Sequence, residues 1–384
     1  MLSLLWLEQQ FGVVAFLLVL VGIALSNLRH LAPLVRKRLT RTPRVSVLVP
    51  ARDEAANIEA LVRSLAAQDY PDFEVIVLDD RSTDETPALL ARLQSELAVL
   101  RVITGTELPA GWLGKQWACD QLARAATGEL LLFTDADTRH APGTLSALVA
   151  AFEAGRLDLL SAVPREETVG WAEKLVVPVV PWAILAFLPL GLAYRWRRPA
   201  FSAANGQFLA FTRAAYGRVG GHAAVRASVV DDIALARRAA GLGLRWRLCD
   251  AQDLVRCRMY RTSREVFDGF SKNLFGAFGY RLAPFLFVWL WLGVVTFQPL
   301  VVLGRWAGGA ATPALSVGLA LAAVASALAL WGVSNAKFRF PWYVTLAYPA
   351  VTALAFGIAV RSVAQALTGR AQWKGRRLPG RVRW

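Results

Sequence analysis

The strongest constraint on this chain is a set of long apolar runs near its two ends. Phe11 to Leu28 is an apolar run of 18 residues, enough for one membrane helix. Three more come late: Leu282 to Leu303, Ala307 to Trp331 and Pro341 to Val360. No acid occurs between Leu282 and Val360, and the breaks hold only Arg305, Lys337 and Arg339. Such runs in succession read as transmembrane helices over 281–361 and not as buried core helices. The first ten residues hold Glu8 and no Lys or Arg, and basic residues follow the first run instead of preceding it. Residues 1–30 therefore read as an anchor and not as a cleaved signal peptide. A fifth run, Leu175 to Ala193, carries Pro178, Pro181 and Pro189 and exits onto Arg195, Arg197 and Arg198. That pattern suits an interfacial or re-entrant segment.

Charge follows the same division. The formal net charge is +15, but Arg29 to Arg44 holds six basic residues and Arg361 to Trp384 holds seven, with no acid in either. The other 344 residues carry only +2. Nucleic-acid binding would need basic residues spread over the folded domain, so it is excluded. Basic patches flanking apolar runs point instead to a membrane surface. With 55% hydrophobic and 18% charged residues, the chain is neither disordered nor an ordinary soluble enzyme. The positive-inside rule places residues 29 onward in the cytoplasm of a multi-pass inner-membrane protein. It also creates a conflict: if all three late runs cross, the basic tail at 362–384 lands outside.

Between Arg44 and about Tyr280 the sequence alternates between strand and helix patterns. Val45 to Val49, Phe73 to Leu78, Val99 to Ile103 and Glu129 to Phe133 are short apolar, strand-like runs. Helical stretches separate them, with Ile58, Leu61, Val62 and Leu65 on one stripe of the first. This predicts an α/β domain over 44–280, a mostly parallel, Rossmann-like sheet with helices on both faces. Ligands of such sheets sit at the carboxyl ends of the strands. The acids fall there: Asp53 after the first strand, Asp79 and Asp80 after the second, Asp135 and Asp137 after the fourth.

Each candidate has a functional and a plain reading. Asp135-Ala136-Asp137 can reach a hard divalent cation and the diphosphate it bridges, or can merely open a turn. Asp79-Asp80 can accept a base N–H and a ribose hydroxyl, or serve as turn and cap residues. Gly111-Trp112-Leu113-Gly114-Lys115 can bring backbone N–H groups and an ammonium to phosphate, or form a loop with an exposed Lys. Asp231-Asp232 can supply a general base, or simply open a helix. Arg256, Arg258, Arg261 and Arg264 form either a solvated face or a cationic wall toward a diphosphate or lipid headgroups. Cys119, Cys249 and Cys257 lack metal-ligand spacing, and His30, His140 and His222 are the three histidines, so a metal would be held by carboxylates. Neither a Walker A nor a Gly-x-Gly-x-x-Gly pattern occurs.

Taken in order, these elements resemble the family 2 inverting glycosyltransferases, whose catalytic domain has the GT-A fold. The set is Val47-Leu48-Val49-Pro50-Ala51-Arg52-Asp53-Glu54, Val77-Leu78-Asp79-Asp80, Gly111 to Lys115, Phe133-Thr134-Asp135-Ala136-Asp137 and Asp231-Asp232. Gly206-Gln207, Gly220-Gly221-His222, Met259-Tyr260, Lys272-Asn273 and Trp373-Lys374-Gly375-Arg376 look most like the membrane-anchored bacterial enzymes that glycosylate carotenoids, hopanoids and other lipids. The resemblance implies that Ala51, Asp53 and Asp80 contact the nucleoside, with Pro50, Asp79, Lys115, Asp135, Arg261 and Arg264 as further nucleotide-sugar contacts. It implies Asp137, with Asp135, as ligand of Mg²⁺ or Mn²⁺, and Asp232 of the Asp231-Asp232 pair as the base. UDP-glucose is the implied donor and a membrane lipid hydroxyl the acceptor. The Gln-x-x-Arg-Trp motif of processive polysaccharide synthases is missing, and Asp stands where the family has Glu at 231. Two rivals follow from the same residues: a polyprenyl-phosphate sugar synthase, whose ionised acceptor needs no base, and a non-catalytic membrane transporter or scaffold.

Overall fold

The computed structural model describes residues 2–369, 372–373 and 376–377. Positions 370–371, 374–375 and 378–384 of the expected basic tail lie outside the described residues. The chain begins with helix α1 (Leu2–His30) and enters the α/β domain through a short extended strap.

The domain's strands are β1 (Val45–Ala51), β2 (Phe73–Asp79), β3 (Leu100–Thr104), β4 (Leu130–Phe133), β5 (Thr138–His140), β6 (Leu159–Val163), β7 (Arg165–Glu166), β8 (Leu209–Thr212), β9 (Trp246–Asp250) and β10 (Val255–Cys257). Seven of them form one sheet in the order β3-β2-β1-β4-β8-β6-β9, and β5-β10-β7 form a small second sheet beside it. Helices α2 (Ile58–Ala66), α3 (Thr86–Glu96), α4 (Gly114–Ala125) and α5 (Thr144–Gly155) connect the first strands. The expected parallel pairing holds for β3-β2-β1-β4 and for β6-β9, with Val47 opposite Val75 and Leu132. Strand β8 departs from it, running antiparallel between β4 and β6. The chain leaves β6 at the carboxyl edge, makes its apolar excursion there, and starts β8 from that same edge. An antiparallel return is the connection that avoids crossing the sheet.

The two faces of the sheet are covered differently. Val45, Val47 and Val49 point toward Ile58, Leu61, Leu65, Leu90, Leu93 and Leu148 from α2, α3 and α5. Ile58, Leu61 and Leu65 are fully buried, a gain of about 1.5–3 kcal/mol each. On the other face Leu48, Ile76, Leu78 and Phe133 pack against Cys119 and Leu122 of α4 and against α9 (Arg213–Val219) and α10 (Asp231–Gly241). That cluster continues into Leu20 and Ala24 of α1. It also includes Leu185 and Leu190 of the fifth apolar run.

This run folds as α6 (Trp171–Val176), α7 (Val179–Phe187) and α8 (Leu190–Trp196), bent by 60° at the break before Leu190. The break exposes backbone groups that an apolar setting cannot satisfy. Asn27 of α1, itself fully buried, satisfies three of them. Its Nδ2 donates to Leu185 O (2.8 Å) and Leu188 O (2.6 Å), and its Oδ1 accepts from Leu190 N (3.0 Å).

After α11 (Ser263–Leu274) come α12 (Leu282–Ala307), α13 (Ala314–Phe338), the single turn α14 (Tyr343–Leu346) and α15 (Tyr348–Leu367). Helices α1, α12, α13 and α15 are long and apolar enough to cross a membrane. Leu18, Val19, Phe287, Leu290 and Leu321 face outward from the first three, an apolar surface that a bilayer covers. Three remote elements meet where the domain joins these helices. The strap pairs with the end of β9, with Leu34 N donating to Asp250 O and Asp250 N to Ala32 O. Lys337, at the end of α13, reaches the Asp250 carboxylate at 2.8 Å, and Arg339 reaches Asp253 at 2.7 Å. The last turns of α15 also bind the domain: Arg361 pairs with Asp268 of α11, and the Ser362 hydroxyl donates to Ser271 O. Both ends of the stretch from Arg339 to Arg361 thus contact the α/β domain.

Candidate active site

All the strands of the main sheet except β8 run in one direction, so their carboxyl ends share one edge. The motif acids gather along it. Where β1 ends, Asp53 takes a positive φ of 52°, which Asp tolerates better than most residues. Its N–H donates to the Ser82 hydroxyl (2.9 Å), and its Oδ1 accepts from Thr83 N (2.7 Å). Asp79 at the end of β2 accepts from Ser82 N (3.1 Å), and Asp80 N donates to Ala51 O (2.8 Å). Asp53 and Asp79 therefore shape the loop as well as bordering it, while Pro50 and Ala51 form the last residues of β1.

Asp135 and Asp137 follow β4. Lys115, in the first turn of α4, reaches Asp135 Oδ1 at 2.6 Å. Burial favours loss of the lysine's charge, but the carboxylates of Asp135 and Asp231 outweigh it and hold the ammonium well above its usual range. Asp137 is pushed up to about 7 by burial and then by the charges of Asp135 and Glu54. Its Oδ1 is buried without a hydrogen-bond partner among the described residues. No group of three or more His, Cys, Asp or Glu side chains among the described residues forms a complete cage for an ion. That donor set suits Mg²⁺ or Mn²⁺, which take one or two carboxylates plus phosphate oxygens and water. An orphaned carboxylate oxygen among crowded acids is where such a cation fits.

Asp231 and Asp232 open α10, yet neither caps it in the ordinary way, for the N-cap is Val230 and has no side-chain bond. Asp232 Oδ1 accepts from Ile233 N (2.7 Å) and Oδ2 from Gly206 N (2.8 Å). A Cβ on Gly206 would lie 3.4 Å from Asp232 Oδ2 and 3.5 Å from Lys115 Nζ. Lys115 therefore stands between the acid pair after β4 and the one opening α10. The neighbouring carboxylates titrate apart. Burial and the charge of Asp231 push Asp232 up to about 7, against donors from Ile233 and Gly206. Burial would raise Asp231 too, but Lys115 and His222 hold it down at about 2. Such a split suits one fixed anion and one proton acceptor working near neutral pH.

Arg261 and Arg264 do not behave alike. Arg261 donates to Asn57 Oδ1 (2.9 Å) at the start of α2, and its charge acts on Arg139, next to the acid cluster. Arg264 is almost wholly exposed and lies 3.6 Å from Asp268, so it is not drawn into the site. Two further groups stand at the site. Glu166 is raised to about 8 by burial and by Asp137 and Asp135, against a bond from Gln207. Cys257 accepts from Gln207 Nε2 at 3.0 Å. The Gly206-Gln207 stretch hinted at this corner, but nothing in the sequence marks Glu166.

Residues 46–220 match the family model described as glycosyl transferase family 2. A beta-monoglucosyldiacylglycerol synthase from Nostoc sp. is 34% identical over 135 residues, 35% of this chain and 28% of that enzyme. The chain thus spans little more than a quarter of the length of that relative. A 4,4'-diaponeurosporenoate glycosyltransferase from Staphylococcus aureus is 28% identical over 297 residues, 75% of this chain and 76% of the other. Among solved structures, a mannosyltransferase from Pyrobaculum calidifontis in complex with GDP-Man and Mn²⁺ superposes with a TM-score of 0.55 at 21% identity. The match covers 95% of this chain and 97% of that one. Residues 46–220, a little under half of the chain, thus resemble a family 2 glycosyl transferase domain, and the fold is shared with that mannosyltransferase.

Proposed function

We propose that this protein transfers a sugar from a nucleotide-sugar donor to a hydroxyl of a membrane lipid, inverting the anomeric carbon. The observation that carries the reading is the shared sheet edge. Asp53, Asp80, Asp135 and Asp137 follow strands that end there, and Asp250 on the same edge binds the strap after α1 and the end of α13. Drawing a lipid out of a bilayer costs about 0.8 kcal/mol per CH₂, so the site has to be brought to the interface. The names of the two relatives, which carry diacylglycerol and diaponeurosporenoate, point to acceptors of that kind.

Ala51, Asp53, Asp79 and Asp80 border the nucleoside in this reading, with UDP-glucose the donor taken first. Asp137 and Asp135 would hold Mg²⁺ or Mn²⁺, which would supply positive charge against the departing diphosphate. Lys115 adds an ammonium between the donor phosphates and the acceptor side. Asp232 accepts the proton of the acceptor hydroxyl as its oxygen bonds to the anomeric carbon and the bond to the diphosphate breaks. No general acid is required, because the leaving group departs as a charged diphosphate.

The same reading closes the topology. Arg339 and Arg361 both pair with domain acids, Asp253 and Asp268, which supports a third late run that enters and leaves on the domain's side. The sequence after Leu367 then starts in the cytoplasm with the domain, in accord with its basic charge. The test is to incubate membranes with a panel of labelled nucleotide sugars and analyse the lipids by mass spectrometry. One labelled lipid class is expected with wild type and none with Asp232→Asn. Retained transfer by folded, inserted Asp232→Asn would sink the base assignment.

A further inference from the structure

Behind Asp232 and its neighbour lies a buried group that the reaction above does not use. His222 is 1% exposed. Gly220 and Gly221 precede it with φ of +79° and +53°, and a Cβ on Gly221 would come within 2.7 Å of the Tyr216 ring. Glycine is therefore needed to fold His222 back over α9. There the backbone N–H of His222 donates to Tyr216 Oη (3.1 Å), and its Nδ1 lies 2.8 Å from the same oxygen. A phenol has one proton, and Tyr216 Oη has no other acceptor among the described residues. Its O–H donates to Nδ1, which leaves the ring proton on Nε2, facing Asp231 Oδ2 at 3.5 Å. Phe133, the last residue of β4, packs edge-on against the imidazole at 4.7 Å. From α4, Lys115, Cys119 and Asp120 carry the charged and titratable groups that face this network.

We infer that His222, oriented by Tyr216, is a positioning residue that fixes the Asp231 carboxylate beside Asp232 and so keeps Asp232 turned toward the acceptor. The inference rests on Asp232 being the base. The order Tyr–His–Asp–Asp runs from the sheet's packed face to the reacting hydroxyl, with only its last member at the substrate. A small displacement of the last member is enough to slow transfer about 10²-fold.

The experiment measures kcat, KM for the nucleotide sugar and the pH profile for His222→Ala, His222→Gln and Tyr216→Phe in purified full-length protein. His222→Ala is expected to lose about 10²-fold in kcat with KM within about twofold. Its acid limb should move to lower pH, because a loosened Asp231 no longer raises Asp232. Tyr216→Phe keeps the ring packing and should lose about tenfold, with the same direction of shift. His222→Gln, whose amide can still donate to Asp231, should recover part of the loss. Wild-type kcat and profile in His222→Ala and Tyr216→Phe would overturn the inference. So would losses that follow the folded fraction alone with an unmoved pH profile. An active Asp232→Asn defeats the base reading itself, whereas an inactive Asp232→Asn beside a fully active His222→Ala defeats only the role given to His222.

Discussion

Under the proposed function the site has a donor half and an acceptor half, and the two are held in place by different means. On the donor side, the loops after β1 and β2 brace one another through pairs such as Asp53 with Thr83, on strands buried inside a continuous parallel stretch. Their far face is covered by helices of the same domain. On the acceptor side, Asp231 and Asp232 depend on Gly206, Lys115 and His222, which come from separate elements. The covering there is shared with α1, α7 and α8. One face of the donor strands is thus covered by the α/β domain alone, while the acceptor half lies in the core that α1, α7 and α8 also enter.

Four perturbations can break or sharpen this contrast. The largest is expected on the donor side. Chelation should abolish transfer and Mn²⁺ or Mg²⁺ should restore it, whereas Asp137→Ala should fall about 10³-fold and stay low with added metal. A chelator-resistant wild type would break the metal assignment. Next comes pH. Asp232 must be ionised to accept a proton, so kcat/KM should rise as pH increases through about 7. Asp231→Asn removes the charge that raises Asp232, so that limb should move to lower pH and kcat should fall about 10–10²-fold. A limb that stays in place would show that Asp231 does not set Asp232.

A smaller effect tests the seam between the α/β domain and the apolar helices. Lys337→Ala takes the ammonium from Asp250 Oδ2 and leaves this carboxylate, only 13% exposed, with the Gln252 donors on Oδ1, which should cost about 1–3 kcal/mol of stability. A lower Tm in detergent, with near-normal kcat for the folded protein, is the expected result. The smallest is Arg264→Ala: exposed and facing Asp268, it should change kcat and KM by less than about twofold. A large loss would restore the cationic wall at this position.

What the sequence made legible follows the same contrast. The stripe Ile58, Leu61, Val62 and Leu65, the strand ends and the acids after them were readable because each depends on residues close in the chain. β8 was not, since four residues, Leu209 to Thr212, carry too little periodicity to show that they run against their neighbours. Glu166 was hidden because its strand has two residues and the groups acting on it, Gln207, Asp137 and Asp135, come from other segments of the chain. Asn27 sits inside the first apolar run with nothing nearby to mark it, for its partners at Leu185 to Leu190 lie far along the chain. The basic face containing Arg261 and Arg264 could not be divided into an inward and an outward residue without the fold.

Asn27 also sets an order of events while the protein is being made. It leaves the ribosome early, yet its partner Leu185 lies 158 residues further on. Lys337, which reaches the Leu31 carbonyl at 3.5 Å, lies 306 residues beyond it. At about 5–20 residues per second, the first delay lasts about 8–30 s and the second about 15–60 s. Throughout the first delay a carboxamide waits in the bilayer with no α7–α8 break to bind. α1 thus carries a polar group whose partners are made only later, and severing it from the domain would leave the Leu185 and Leu188 carbonyls and the Leu190 N–H without that carboxamide.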